Sequence, residues 1–240
     1  MYKTYIGCSG FHYKEWKTIF YPEDLPQSKW FTFYCRHFNT LELNSTFYKF
    51  PTIKSLQKWY GSSPDDFTFS VKAPRLITHY KRFSECEHFL DDFYEACLQG
   101  LQHKLGCVLF QLHPQIKYSL EILNLIVNSV DPSFKNVLEF RDISWWNETV
   151  FDTLKKSNII FSGISYPKLP EEVIITNPAL YYRFHGEPLL YKSAYPESFL
   201  EEKFFMMNCS GAKEAWIYFN NTWGIAAIIN GRYMQQLLLK

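Results

Sequence analysis

The sequence predicts an α/β fold, a (β/α)8 barrel of the TIM type, as a single domain over residues 1–240. Three observations lead there. Eight strand-like segments alternate with helical patterns, as successive parallel βαβ units require. The chain has 240 residues, and a closed barrel of this kind commonly takes roughly 250. Alternation along several strands sets polar residues on one face near the C-terminal end, where loops assemble a site in this fold.

The strand-like segments lie near Thr4–Cys8, Thr40–Thr46, Phe67–Lys72, Gly106–Leu112, Asn136–Arg141, Ile159–Ile164, Leu180–His185 and Ala215–Asn220. Apolar spacing near 3.6 residues predicts helices over Ser28–His37, Thr52–Tyr60, Glu87–Gln102, Leu120–Val130, Glu148–Ser157, Pro196–Met207 and Gly224–Leu238. Thr52 after Pro51 suits a helix cap, and Asp131-Pro132 closes the helix before the fifth strand. Tyr166–Asn177 carries Pro167 and Pro170 with little periodicity and reads as a loop or partial helix. No repeat, linker or low-complexity tract divides the chain. An open doubly wound sheet is the weaker reading, because Gly7-Cys8-Ser9-Gly10 fits neither glycine-rich phosphate loop. Ser9 also lacks the Gly-x-Ser-x-Gly setting of an activated serine.

Candidate chemistry follows from the polar faces. Glu42 with Asn44, Ser70 with Lys72, Gln111 with His113, Glu139 with Arg141, and Tyr181 with Arg183 and His185 share faces by alternation, and Asn220 ends the eighth strand. Charges at such places must pair or meet water, since burying them alone is costly. Glu42, Glu139 and His185 are the acid–base candidates. Lys72, Arg141 and Arg183 outnumber the two carboxylates and suit a phosphate or carboxylate group, with Asn44, Gln111 and Asn220 orienting it. Tyr13 and Trp145, on expected loops, offer rings on which a sugar face could stack. The competing reading is a self-satisfied ring of ion pairs at the barrel mouth.

Composition excludes several classes. A formal charge of +1 leaves no footprint for long nucleic acid. The six cysteines are scattered without a Cys-x-x-Cys pair, so neither a zinc knuckle nor a redox motif is indicated. No basic start with an apolar run marks a signal peptide, and no stretch approaches the roughly 20 apolar residues that span a bilayer. A cytoplasmic protein is expected; the sequence sets no oligomeric state. No cofactor is called for. A divalent metal on Glu42, Glu139 and His185 is the weaker alternative, lacking His-x-x-x-His spacing and set among cations that repel it.

The chain resembles the YecE-like family, domain-of-unknown-function family 72, over nearly its whole length. The resemblance rests on Gly7-Cys8-Ser9-Gly10-Phe11 with Tyr13, Trp16 and Phe20-Tyr21-Pro22, and on Glu42 through Tyr48 with Pro51. It continues through Phe69-Ser70-Val71-Lys72, Thr78-His79, Gln111-Leu112, Glu139-Phe140-Arg141 with Ser144-Trp145, Arg183-Phe184-His185-Gly186 with Tyr191 and Tyr195, and Phe219-Asn220-Asn221-Thr222. It implies a TIM-type barrel akin in fold to sugar isomerases and barrel endonucleases, and it brings no established reaction or cofactor. Cys8 stands where the family more often has Thr, Phe11 where it has Trp, and His113 where a second proline follows the Gln-Leu pair. The expected function is an enzyme acting on a small anionic, sugar-like ligand. The alternatives are a non-catalytic ligand-sensing or partner-binding barrel and a metal-assisted phosphodiester hydrolase.

Overall fold

The computed structural model describes residues 3–239. Its strands are β1 (Lys3–Ser9), β2 (Thr40–Leu43), β3 (Thr68–Lys72), β4 (Leu105–Gln111), β5 (Lys135–Glu139), β6 (Ile160–Ser165), β7 (Ala179–Phe184) and β8 (Glu214–Phe219). They are hydrogen-bonded in chain order and run parallel, and β8 pairs with β1, which closes an eight-stranded barrel. Interleaved with them are α1 (Trp30–Tyr34), α2 (Ser45–Tyr48), α3 (Ile53–Ser62), α4 (Glu87–Leu101), α5 (Leu120–Ser129), α6 (Glu148–Lys156), α7 (Glu197–Cys209) and α8 (Ala226–Leu237). Among the described residues no helix is long and apolar enough to cross a membrane.

Seven expected strands begin and end within two residues of their predicted limits. The second stops three residues early, at Leu43 rather than Thr46. Asn44 turns into the right-handed helical region (φ −96°, ψ −14°), and α2 follows. The Thr46 hydroxyl holds this turn, 3.0 Å from the Leu43 carbonyl oxygen and 2.6 Å from that of Lys72. Alternation therefore ends at Leu43, and the reading of Asn44 as a strand neighbour on the Glu42 face is corrected. The first helix is shorter than its apolar pattern, because Gln27–Lys29 is a 3-10 turn. The segment Leu76–Lys81, where no element was expected, forms a π-helical turn.

The described chain groups into two compact units, one comprising its residues up to Glu42, Gly163–Ile174 and those from Pro178 onward. Its core is aromatic. Tyr5 of β1 stacks on its register partner Trp216 of β8 at 3.8 Å, and Tyr21 stacks on Trp30 at 4.5 Å. The buried Tyr34 phenol joins two strands: it accepts from the Cys8 N–H at 2.7 Å and donates to the Thr40 carbonyl at 3.0 Å. Burial pushes that phenol well above its ordinary range, so it stays a neutral donor.

The other unit comprises Leu43–Ser162 and Ile175–Asn177. Thr52 and Ser55 form a reciprocal capping box at the start of α3, which agrees with the expected cap. At the far end the enclosed Lys104 ammonium donates to the carbonyls of Tyr60 at 2.8 Å and Ser63 at 2.9 Å, satisfying groups the helix leaves over. Helices α3 and α4 approach so closely that a Cβ on Gly100 would lie 2.4 Å from Leu56 Cβ. Ser119 and Asn147 cap α5 and α6 through the N–H groups of Ile122 and Val150.

Candidate functional site

The expected site residues fall into two clusters, one in each unit. In the first, register aligns Tyr181 with Trp216 and Arg183 with Tyr218, so Tyr181 and Arg183 share one face of the sheet. Both reach Glu42. The Tyr181 hydroxyl donates to Oε2 at 2.6 Å and Arg183 Nη2 donates to Oε1 at 2.6 Å, and all three side chains are fully buried. Each Glu42 oxygen thus has a donor, the geometry of a structural charge pair. His185 and Asn220 lie one residue past the ends of β7 and β8, where the sheet hydrogen bonding continues through His185 N to Ser165 O and Asn220 N to Phe184 O. Asn220 Nδ2 stands 2.9 Å from His185 Nδ1; with the amide donating, Nδ1 is the acceptor and Nε2 carries the proton.

In the second cluster, Glu139 and Arg141 meet as alternation predicts. Arg141 Nε lies 2.7 Å and Nη2 2.5 Å from Glu139 Oε1; the carboxylate is buried and the arginine side chain 6% exposed. The half-buried Lys72 donates to Gln111 Oε1 at 2.8 Å, and its ammonium sits 4.2 Å from the centroid of the Phe47 ring. Gln111 in turn donates to the Leu112 carbonyl and is the register partner of Glu139.

Sequence reasoning gave no place in the site to a further residue beside this cluster, His79. It lies on the π-helical turn after β3, half-buried, with Nδ1 2.8 Å from the Thr78 hydroxyl. Its ring is edge-on to Phe47 at 4.9 Å and to His113 at 5.1 Å. Burial lowers its pKa to about 4, helped by the positive charges of His113, Lys72, Arg141 and Arg75. The imidazole is therefore neutral at pH 7 and reports a positive potential around it. Arg75 lies over the exposed rings of Tyr48 and Tyr80. The signal within reach was Thr78-His79 standing six residues after Lys72, with His113 two after Gln111.

Two expected stacking rings differ in placement. Trp145 is fully buried, stacked on Phe140 at 4.2 Å, and donates through Nε1 to the Ile116 carbonyl at 2.8 Å. Its indole is a core anchor, which corrects its reading as a ligand platform. Tyr13 is half-buried and donates from its hydroxyl to the Ser9 carbonyl at 2.6 Å. Among the described residues, no three His, Cys, Asp or Glu side chains gather closely enough to hold a metal ion.

With this geometry in hand, comparison with known proteins is specific. The family described as "Protein of unknown function DUF72" matches residues 5–240. The protein YunF of Bacillus subtilis (strain 168) is 27% identical over 270 residues, covering 98% of this chain and 94% of YunF. YecE of Escherichia coli (strain K12) is 35% identical over 79 residues, 33% of this chain and 29% of YecE. The crystal structure of a DUF72 family protein, TM1631 from Thermotoga maritima MSB8, matches with a TM-score of 0.88 at 28% identity, covering 99% of this chain and 100% of that one. A second, EF0366 from Enterococcus faecalis V583, matches with a TM-score of 0.85 at 18% identity over 99% of this chain and 96% of that one, a likeness of fold. Motifs, barrel and whole-length match together make this chain a member of the DUF72 family.

Proposed function

We propose that the protein binds a small phosphorylated or carboxylated, sugar-like ligand at the C-terminal ends of β3, β4 and β5, and acts on it by acid–base chemistry. One observation carries the reading: Lys72 reaches Gln111 at 2.8 Å and Arg141 rests on Glu139, the register partner of Gln111, so two cations stand at the ends of neighbouring strands. A group of cations attracts an anion, and a guanidinium matches phosphate or carboxylate with paired donors. Glu139, bonded to Arg141, fixes the plane in which those donors lie. The amide of Gln111 and the Phe47 ring supply the polar and apolar surfaces that a polyol uses. Strand C-termini are also where barrels of this fold carry their sites, an analogy that bears on location and not on reaction. The six free thiols suit a reducing compartment, the cytoplasm.

A ligand-sensing barrel without turnover is the second reading. It is favoured by the arginine on each carboxylate, Arg183 on Glu42 and Arg141 on Glu139.

A thermal-shift comparison of hexose phosphates with the unphosphorylated hexoses separates the cases. At about a hundred times Kd, a ligand of the folded state adds about 2.7 kcal/mol, which for a chain of this size raises Tm by about 5–10 °C. The phosphate esters are expected to stabilise the wild type and to lose that effect in Lys72→Met. Equal stabilisation by the parent sugars removes the anion reading, and recovery of the bound ester unchanged selects the sensor.

A further inference from the structure

We infer that His79 is the proton-carrying group of this site, taking a proton from solvent as an anion settles against Lys72 and Arg141 and presenting Nε2–H to the ligand. This rests on the anion-binding reading above. The hydrogen bonding at His79 orients the charged ring. Nδ1 and the buried Thr78 hydroxyl are 2.8 Å apart; in the protonated ring Nδ1–H donates to that hydroxyl and Nε2–H is left for the ligand. The ring is also held in place. Phe47 of α2 and His113 after β4 flank it edge-on, and the π-helical turn that carries it begins at Leu76, four residues past the end of β3. Such turns recur at functional sites because they aim a side chain that a regular helix would not.

The coupling is electrostatic. The charged and titratable groups acting on His79 are Lys72 from β3, Arg75 from the turn, His113 from the β4 loop and Arg141 from beyond β5, and each opposes a proton on the ring. An anion among them reverses the balance. The proton comes from bulk water, so binding is accompanied by uptake of up to one proton per site, and the imidazolium can then give that proton to an oxygen of the ligand. An opposite charge within about 4–6 Å shifts a titration by about 1–3 units. The site would thus charge its acid only when its ligand is present, which a permanently charged lysine in the same place could not do.

The test is the side-chain nitrogen spectrum of the wild-type protein, labelled uniformly with 15N and titrated between pH 3.5 and 8 in sodium sulfate and in sodium chloride of equal ionic strength. Sulfate is a tetrahedral dianion that does not itself titrate in most of this range, and the His79 signal is identified by its loss in His79→Gln. The expected result is a His79 midpoint near 4 in chloride that rises by one unit or more in sulfate. A sulfate-dependent shift of the Lys72 and Arg141 side-chain signals with the His79 midpoint unmoved overturns the inference and leaves the anion site standing. No sulfate response at Lys72, Arg141 or His79 overturns the anion-binding reading itself.

Discussion

Arg183 Nη2 stands 2.6 Å from Glu42 Oε1, and neither side chain meets solvent, although 141 residues separate them in the sequence. With the Tyr181 hydroxyl on the other carboxylate oxygen, this is a buried charge whose partners are in place. Removing one member of such a pair costs on the order of 3–5 kcal/mol, because the other is left charged in a dry setting. Glu42→Gln should therefore lower Tm by on the order of 10 °C, as read by scanning calorimetry. Adding Arg183→Met should restore part of the loss. A Glu42→Gln protein with unchanged Tm would place the pair in water.

Tyr34 joins β1 to β2 through one hydroxyl that both accepts and donates. Tyr34→Phe leaves the Cys8 N–H and the Thr40 carbonyl each without this contact, so it should cost about 1–3 kcal/mol in urea unfolding. Ligand-induced stabilisation, measured as the Tm increment on adding a hexose phosphate, should be the same as in the wild type.

The lowered pKa of His79 makes folding depend on pH over a defined window. Well above pH 6.5 the ring is neutral in folded and unfolded chains alike, and it contributes no slope. Between pH 6.5 and about 4 the unfolded chain binds the proton first, so the folded state loses stability as pH falls, and below about 4 the loss from this group is complete. His79→Gln should remove that component. Urea titrations of both proteins at pH 7, 5.5 and 4, in buffers free of phosphate and sulfate, should give curves that diverge only on the acid side.

Trp145 is predicted to matter for folding alone. Trp145→Phe keeps a ring against Phe140 but removes the donor to the Ile116 carbonyl, a change expected to cost about 1–3 kcal/mol of stability. The affinity for an anionic ligand, measured by calorimetry, should stay within a factor of two. A large fall in affinity would return this indole to the ligand surface.

The strands were legible because a period of two is a strong signal, and the same period put Tyr181 with Arg183 and Glu139 with Arg141 on common faces, as the hydrogen bonds show. It misled at Asn44, where a Thr46 side chain ends the strand by bonding two carbonyls, an interaction with Lys72 that local pattern does not carry. His79 was left out of the candidate site for a related reason. A six-residue π-helical turn has no apolar rhythm to detect, and the cations around the ring come from segments up to 62 residues away, Arg141 being the farthest. Trp145 looked like a loop ring because its enclosure by Ile116 and Phe140 arises only in three dimensions.

The most direct measurement is the calorimetric affinity of the wild-type protein for a hexose 6-phosphate, set against Lys72→Met and against the unphosphorylated hexose. A hydrogen bond to a charged group is worth about 1.5–3 kcal/mol, so saturable binding that weakens roughly 10- to 100-fold in Lys72→Met, with no comparable affinity for the bare sugar, is the predicted result. Equal affinities in wild type and Lys72→Met, or for the ester and its parent sugar, would contradict an anion site at the ends of β3, β4 and β5.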